Sequence, residues 1–466
     1  MARIRVRTLR TLAGAPPPDR LLAAVPSAAR PVLLDSSDGR GWSLLAWSPD
    51  RSLEGRLDPD AGRPVALGRP ALGSPDPGLL LEQACAGEEW QREDEEPPLA
   101  GGWLGWLGFE CGHAWEPYPW TPPDPAGLPD FSFGRYRRAV AWSPQGEARL
   151  LWAELPGGYA ERSEVEADFA RLLAGAAAGA AGEAAPLAAP PAPLQDGAAY
   201  RAAVTRLREA IGAGELFQAN LSHRLEGQAP ADPRALYRLL RRAQPTEMSA
   251  YWEDGAGRAL LSWSPERFLR VRGEELETRP IKGTAPRAAD PAEDRARAAA
   301  LDASEKERAE LTMIVDMARN DLGRVARPGT VEVLSAGTIE PLPTVHHRVA
   351  TVRARWDPAR GLAALLAATF PPASVTGAPK VRALQAIAEL EGEGRGPYCG
   401  SFLAWEPGTP RGDLSVLIRT AVVAGGRLSA RVGAGIVWDS DPAREWEETL
   451  WKARYLGAAR AAEVRA

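Results

Sequence analysis

Between Leu172 and Pro193 the chain reads LLAGAAAGAAGEAAPLAAPPAP, a low-complexity stretch with few side chains able to anchor a core. Any core must therefore be assembled from the sequence on either side, and the two sides differ. Before it, short apolar runs such as Pro31-Val-Leu-Leu34, Trp42-Ser-Leu-Leu-Ala-Trp47 and Arg138-Ala-Val-Ala-Trp142 sit between Gly, Pro and Asp clusters, the pattern of strands joined by turns. After it, helical and strand patterns alternate. The expected organisation is a β-rich region over residues 1–175, a linker or surface excursion over 176–195, and a mixed region over 196–466.

In the mixed region Tyr200, Val204, Leu207 and Ile211 recur at helical spacing between Asp196 and Ala213. A helix from Ser304 to Arg319 gathers Leu311, Ile314, Val315 and Ala318 into one stripe, and Asp321-Leu322-Gly323 closes it. Ala259 to Ser264, Arg267 to Arg272 and Leu276 to Ile281, with a turn at Gly273, read as a meander of neighbouring antiparallel strands. A strand over Thr338 to Thr351, a helix over Leu362 to Ala368, a turn at Pro371-Pro372 and a helix over Pro379 to Leu390 come next. Strands follow around Tyr398 to Trp405, Leu414 to Val423 and Leu428 to Val432, and Asp441-Pro442 opens a last helix ending near Ala461. No internal repeat appears, and the class is α+β.

The charge balance excludes some roles. With 56 Lys plus Arg against 61 Asp plus Glu, the net charge of −5 offers no broad cationic surface, so neither nucleic acid nor membrane is expected as a partner. A small anionic substrate needs only a local positive site. Cys85, Cys111 and Cys399 lie far apart with no CxxC spacing, which speaks against a disulfide framework or a zinc site and suits a reducing cytoplasm. The opening Met1-Ala-Arg-Ile-Arg-Val-Arg7 has no apolar leader behind its charges, and no run reaches the roughly 18 apolar residues of a membrane span. A cytoplasmic protein is expected.

Several clusters have the composition of a reactive site. Glu445, Glu448 and Lys452 share one face of the last helix, and Glu307 and Glu310 share one on the middle helix. Taken singly these are solvated stripes; brought together, they are the hard oxygen donors that Mg²⁺ prefers. Glu266 follows a strand break at Ser264-Pro265, and Lys282 sits in a loop shaped by Pro280, Gly283 and Pro286; by spacing alone this is as well read as a surface ion pair. Glycine-bearing segments at Val375 to Lys380, Tyr398 to Ser401 and Gly433 to Val437 would let backbone N–H groups approach an anion. With Arg419, Lys380 and Lys452 nearby, they could hold a dicarboxylate. No GxxxxGK[ST] loop or GxGxxG fingerprint marks a nucleotide site.

In order, these segments are ELFQANL at 215–221, SPERF at 264–268, PIKGTAPR at 280–287, KERAELTMIVDMARNDLGRV at 306–325 and PTVHHRVATV at 343–352. Then come SVTGAPKVRALQAI at 374–387, YCGS at 398–401, LIRTAV at 417–422 and GAGIVWDSDPAREWEETLWKA at 433–453. Together they closely resemble the chorismate-utilising enzymes, which include anthranilate synthase component I, aminodeoxychorismate synthase component I and the isochorismate and salicylate synthases. The β-rich region matches more weakly, through Leu33-Leu-Asp-Ser-Ser37 and Gly101 to Phe109. The resemblance implies two large β-sheets packed as a core sandwich flanked by helices, with both parts of the chain contributing. It also implies roles: Glu310 and Glu448 as Mg²⁺ ligands with Glu307 and Glu445 as direct or water-mediated helpers; Tyr398, Arg419, Lys452 and the amides of Gly433 and Gly435 on the substrate's carboxylates; and Thr284, His347 and Gly377 as other pocket residues.

Within the family, resemblance divides at residue 282. Anthranilate synthases usually carry alanine there, in PIAGT, whereas aminodeoxychorismate synthases carry the lysine found here. The lysine implies attack on C2 of chorismate with loss of the C4 hydroxyl, Glu266 acting as the acid, followed by ammonia at C4. Anthranilate synthase component I and a non-catalytic regulatory homologue are the alternatives. No glutaminase-like nucleophile turn surrounds any cysteine, so ammonia is expected from a separate glutamine amidotransferase subunit. One departure is Pro371-Pro-Ala-Ser374, where relatives usually read Pro-Gly-Gly-Ser.

Overall fold

The computed structural model describes residues 2–58, 63–66, 76–92, 97–157, 161–179, 187–408 and 410–461. Among them, strands from before and after the low-complexity stretch interleave. Val32–Asp35 pairs antiparallel with Met248–Glu253 in a sheet of 13 strands, and Gly102–Leu107 pairs with Ser401–Glu406 in a sheet of 11. Because side chains alternate across a strand, Ala259–Ser264 sends Leu260 to one side and Leu261 with Trp263 to the other. On the inner side Leu260 joins Val32, Trp106, Trp252 and Phe402 in a layer drawn from both sheets. Trp106 meets Trp252 edge-on, with ring centroids 5.9 Å apart at 81°, a geometry favoured by the ring quadrupoles.

Helices cover the rest. Pro18–Ala24, Arg162–Ala178, Pro233–Ala243 and the last helix, Pro442–Ala461, contribute to one apolar cluster with strands of the larger sheet. Glu305–Gly323, Gly361–Thr369 and Lys380–Glu391 contribute to another. This is the expected α+β sandwich flanked by helices. Among the described residues no helix is long and apolar enough to cross a membrane.

Several boundaries differ from the sequence reading. The low-complexity stretch begins inside the helix Arg162–Ala178, where Leu172 and Ala176 are buried; residues 180–186 lie outside the described set. Ala259–Ser264 and Arg267–Arg272 are not neighbours, because the chain passes from one sheet to the other at Pro265-Glu266. Leu414 to Val423 divides in the same way into Arg411–Val416 and Thr420–Ala424. Thr338 to Thr351 is a hairpin, Glu332–Pro341 with Val345–Arg355, since Pro343 has no N–H with which to continue a ladder. Leu276 to Ile281 bends at Pro280 into Glu275–Arg279 and Ile281–Pro286, both paired with Val345–Arg355. The strand expected from Leu428 extends to Ile436, so Gly433 and Gly435 are strand residues, and the one expected from Tyr398 begins at Ser401.

The inner layer makes a direct prediction. Trp252→Ala, which empties a site only 1% exposed, should lower the free energy of unfolding by about 3–5 kcal/mol. Chemical denaturation followed by circular dichroism measures it, and a loss below about 1 kcal/mol would mean the two sheets do not interlock at this residue.

Candidate active site

The points where the chain changes sheet are bonded to one another, and they bound one cavity. At the first, Ser264 Oγ donates to the Val416 carbonyl at 2.6 Å and accepts from the Glu266 N–H at 3.2 Å, while Val416 N–H donates to Glu266 O at 3.0 Å. At the second, Arg419 takes φ +49°, uncommon for a residue with a side chain. Its carbonyl receives the Trp263 N–H at 3.0 Å. Between the two, Cys399 at φ +63° donates its N–H to Leu417 O at 2.8 Å, which sets Tyr398 beside them.

A cavity of about 420 Å³ lies against these breaks. It is lined by Glu266, Lys282, Thr284, His347, Tyr398, Arg419, Gly433, Gly435 and Lys452, and by Glu307, Glu310, Glu445 and Glu448. Of the residues the sequence singled out, two stand outside the lining: Lys380, expected to help hold a dicarboxylate but bonded instead to Asp321 at 2.8 Å, and Gly377. A Cβ there would lie 2.1 Å from Gln218 O, so glycine lets the two-residue strand Gly377–Ala378 press against the neighbouring strand Gln218–Gln228.

Glycine also brings the floor of the cavity close to its reactive groups. A Cβ on Gly433 would lie 3.0 Å from Tyr398 OH, and one on Gly435 would lie 3.4 Å from Lys282 Nζ. The Gly433 carbonyl accepts from Lys452 Nζ at 2.9 Å. Since the N–H and C=O of a residue in an antiparallel strand share an edge, the Gly433 amide also points away from its partner strand.

Burial sets the charge states. Glu266, 4% exposed, is pushed up to about 7 by desolvation, against the opposing pull of a Ser374 hydrogen bond, the Lys282 charge and the Ile281 backbone. His347 is brought down to about 3 by burial and by the Arg419 charge, so it is neutral near pH 7; Thr284 Oγ1 lies 2.9 Å from its Nδ1. Desolvation lowers Arg419, and among the described residues no carboxylate pairs with it. Half-buried in the cavity wall and without a counter-ion, this guanidinium is a strong attractor for a substrate carboxylate.

The opposite wall is acidic. Ser304 Oγ caps the helix Glu305–Gly323 by accepting the Glu307 N–H at 3.3 Å, and Asp441 Oδ1 caps the last helix through Ala443 N–H at 3.1 Å and Arg444 N–H at 2.9 Å. Glu307 is raised by burial and then by the charges of Glu310 and Glu448; Glu445 is raised by burial, with Glu448 adding to it. For Glu448 burial is outweighed by the Lys452 ammonium 2.7 Å away, which holds it low. Four carboxylates from two helices thus repel one another across the cavity. Among the described residues no three His, Cys, Asp or Glu converge on a single point as a ready ligand set. One or two carboxylates with waters and a substrate anion are what Mg²⁺ commonly takes, so the donor set fits that ion.

The sequence reading did not assign Ser374, Asn220, Lys306, Arg431 or Trp451, which also line the cavity. Arg431 precedes Gly433 by two residues on the same strand and therefore faces the same way; this was the available signal. Its Nη2 lies 2.9 Å from Glu391, which also meets Arg395 at 2.6 Å, a buried charge network behind the floor.

Comparison with known proteins places the chain in a family. The family model for chorismate binding enzyme matches residues 32–457, which takes in most of the β-rich region as well. Anthranilate synthase component 1 of Streptomyces coelicolor is 38% identical over 426 residues, 88% of this chain and 80% of that one. Aminodeoxychorismate synthase component 1 of Klebsiella aerogenes is 37% identical over 389 residues, 81% of each chain. Among solved structures, anthranilate synthase component I from Streptococcus pneumoniae superposes with a TM-score of 0.77 at 28% identity, covering 89% of this chain and 92% of that one. With a match of this length and relatives of this similarity, the chain belongs to the chorismate binding enzyme family.

Proposed function

We propose that this enzyme aminates chorismate at C4, giving 4-amino-4-deoxychorismate for p-aminobenzoate and folate synthesis, with ammonia supplied by a separate glutamine amidotransferase subunit. The observation that carries the reading is that the Lys282 amine and the Glu266 carboxyl line the same cavity close enough to interact electrostatically. Aminodeoxychorismate synthases that the sequence resembles have this lysine, and the Klebsiella aerogenes relative bears that name. The relatives named anthranilate synthase keep a second reading open, in which ammonia attacks C2 directly and pyruvate leaves.

In the first half-reaction the unprotonated Lys282 amine attacks C2, both ring double bonds shift by one position, and the C4 hydroxyl departs as water with the proton of Glu266. In the second, ammonia attacks C4, both double bonds shift back and the C2–N bond breaks, returning the electron pair to Lys282. Chorismate and ammonia become 4-amino-4-deoxychorismate and water. Arg419, Tyr398, Lys452 and the Gly433 and Gly435 amides hold the substrate's carboxylates, while Thr284 positions neutral His347 against the ring. Mg²⁺ held by Glu310 and Glu448, with Glu307 and Glu445 assisting, would polarise the ring carboxylate.

Ammonia must come from outside because none of the cysteines is a nucleophile. All three are buried and free, and burial drives the Cys399 thiol up to about 12 and those of Cys85 and Cys111 well above their ordinary value. Buried reduced thiols accord with the cytoplasm this reading implies.

The pure chain should therefore convert chorismate with ammonium salts and Mg²⁺ but not with glutamine alone, and its product should show no anthranilate fluorescence and should yield p-aminobenzoate once a lyase is added. Anthranilate emission from the single chain would select the second reading. Lys282→Ala should lower C4 amination to about a hundredth or less and abolish a chorismate adduct detectable by mass spectrometry when ammonia is withheld; C4 amination at the wild-type rate would remove the lysine from the mechanism. Glu310→Gln and Glu448→Gln should fold normally and raise the Mg²⁺ concentration at half-maximal activity by at least about tenfold. Unchanged Mg²⁺ titrations in both would reassign the ion.

A further inference from the structure

Behind Glu266 lies a second, much smaller cavity of about 20 Å³, lined by Glu266, Ser374, Thr278, Thr369 and Asp321 among apolar neighbours. Glu266 and Ser374 line both cavities, so they form the partition between them. Room for one water requires about 10–15 Å³ and two to four polar partners, and both conditions are met. Asp321, on the helix Glu305–Gly323, has no role in the reaction described above. It is 8% exposed and bonded to Lys380 Nζ at 2.8 Å; that ammonium also donates to Thr369 O at 3.1 Å. Lys380 opens the helix Lys380–Glu391, and its side chain and that of Asp321 each keep about a tenth of their surface in solvent.

We propose that Asp321, held by Lys380, exchanges protons with Glu266 through a water in the small cavity, giving the acid a route to solvent that remains open when substrate fills the main cavity. Departure of the C4 hydroxyl leaves Glu266 as a carboxylate. It takes a proton from the bridging water, the water takes one from the Asp321 carboxyl, and Asp321 regains its own at the solvent side; one proton enters and one is consumed. Asp321 acts through Glu266 and is a positioning residue for the reaction.

The charges support such an exchange. Glu266 is faced by Lys282 and Ser374; Asp321 is faced by Lys380, by Arg324 just past the end of its own helix, and by Glu116. Desolvation raises Asp321 to about 6, with Lys380 and Arg324 opposing and Glu116 adding, beside about 7 for Glu266. Two acids so closely matched pass a proton at little cost in either direction. Ser374 also gives the altered loop Pro371-Pro-Ala-Ser374 a purpose that its lost glycines leave intact.

The inference rests on the proposed function only in needing Glu266 as the acid for the C4 hydroxyl. The test is the pH dependence of kcat, followed as chorismate consumption per unprotonated ammonia, in wild type, Asp321→Asn and Asp321→Asn/Lys380→Met. A protonated Glu266 is required, so the rate falls as pH rises through its pKa. Asp321→Asn leaves the Lys380 charge unbalanced, which favours the Glu266 carboxylate. The alkaline limb should move to lower pH and kcat should drop about tenfold or more, with KM for chorismate within about twofold. The double variant removes both charges, so the limb should return while kcat stays low. A slower Asp321→Asn enzyme with an unmoved limb would make the pair structural only, and wild-type kcat in either variant would equally overturn the relay. Should Asp321→Asn not fold, kcat of the double variant decides. Product identity is scored separately: anthranilate would refute the C4 reading and leave the limb measurement intact.

Discussion

A backbone that leaves a β-sheet must find new partners for its N–H and C=O groups, and this structure meets that demand by making its departures from the sheets satisfy each other. Glu266 O takes the Val416 N–H, Arg419 O takes the Trp263 N–H, Cys399 N–H reaches Leu417 O, and Leu417 N–H reaches Gly400 O at 2.9 Å. Glu266, Tyr398 and Arg419 thereby stand on a bonded junction between two packed sheets rather than on free loops. Rigid support of this kind holds a positively φ-strained arginine and a desolvated carboxyl in place.

The same junction explains what could be read beforehand and what could not. Helices with a clear apolar stripe, such as Glu305–Gly323 with Leu311, Ile314 and Val315 buried, were legible because their pattern is local. The helices Pro233–Ala243 and Pro291–Ala303 were missed. The first is crowded with arginine, and the second buries only Leu301. Yet each opens with the same Asp-Pro pair as the last helix, and Asp290 Oδ1 accepts the Ala292 and Glu293 N–H groups at 3.0 and 2.8 Å. Strand extents failed where the chain changes sheet, because an unbroken apolar run such as Leu414 to Val423 looks alike whether it stays in one sheet or crosses to another. For the site, glutamate spacing and glycine clusters marked candidates, but spacing alone left them as surface charge. It was the resemblance that grouped them, and the positions of Ser374 and Asp321 needed the fold.

Keeping Glu266 dry has a price in stability that depends on pH. Its carboxyl moves from an ordinary 4.5 to about 7 on folding, so between those values the folded chain holds a proton that the unfolded chain releases. Stability from this group is complete below the lower value and declines as pH rises toward the upper one. Arg419 adds a burden of the opposite pH sense: desolvation lowers its pKa, so its cost is present wherever it is protonated and eases only in strong alkali. The Arg419 burden lessens when an anionic substrate arrives, while Glu266 is held all the more in its protonated form, which is the sense in which the cavity is preorganised for binding.

Interleaving of the two sheets also dictates the order in which the molecule can come into being. Leu107 pairs with Ser401 and Leu34 with Ala250, so neither sheet closes while only the first part of the chain exists. At a ribosomal rate of about 5–20 residues per second, Gly102–Leu107 waits roughly 15–60 s for the partner strand, some 300 residues downstream, to emerge. During that interval Trp103, Leu104 and Trp106 sit on an apolar strand edge, the kind of surface that draws nascent chains into aggregates or onto chaperones. Residence on the ribosome, more than the final energy of the folded enzyme, is therefore where this architecture is most exposed to failure.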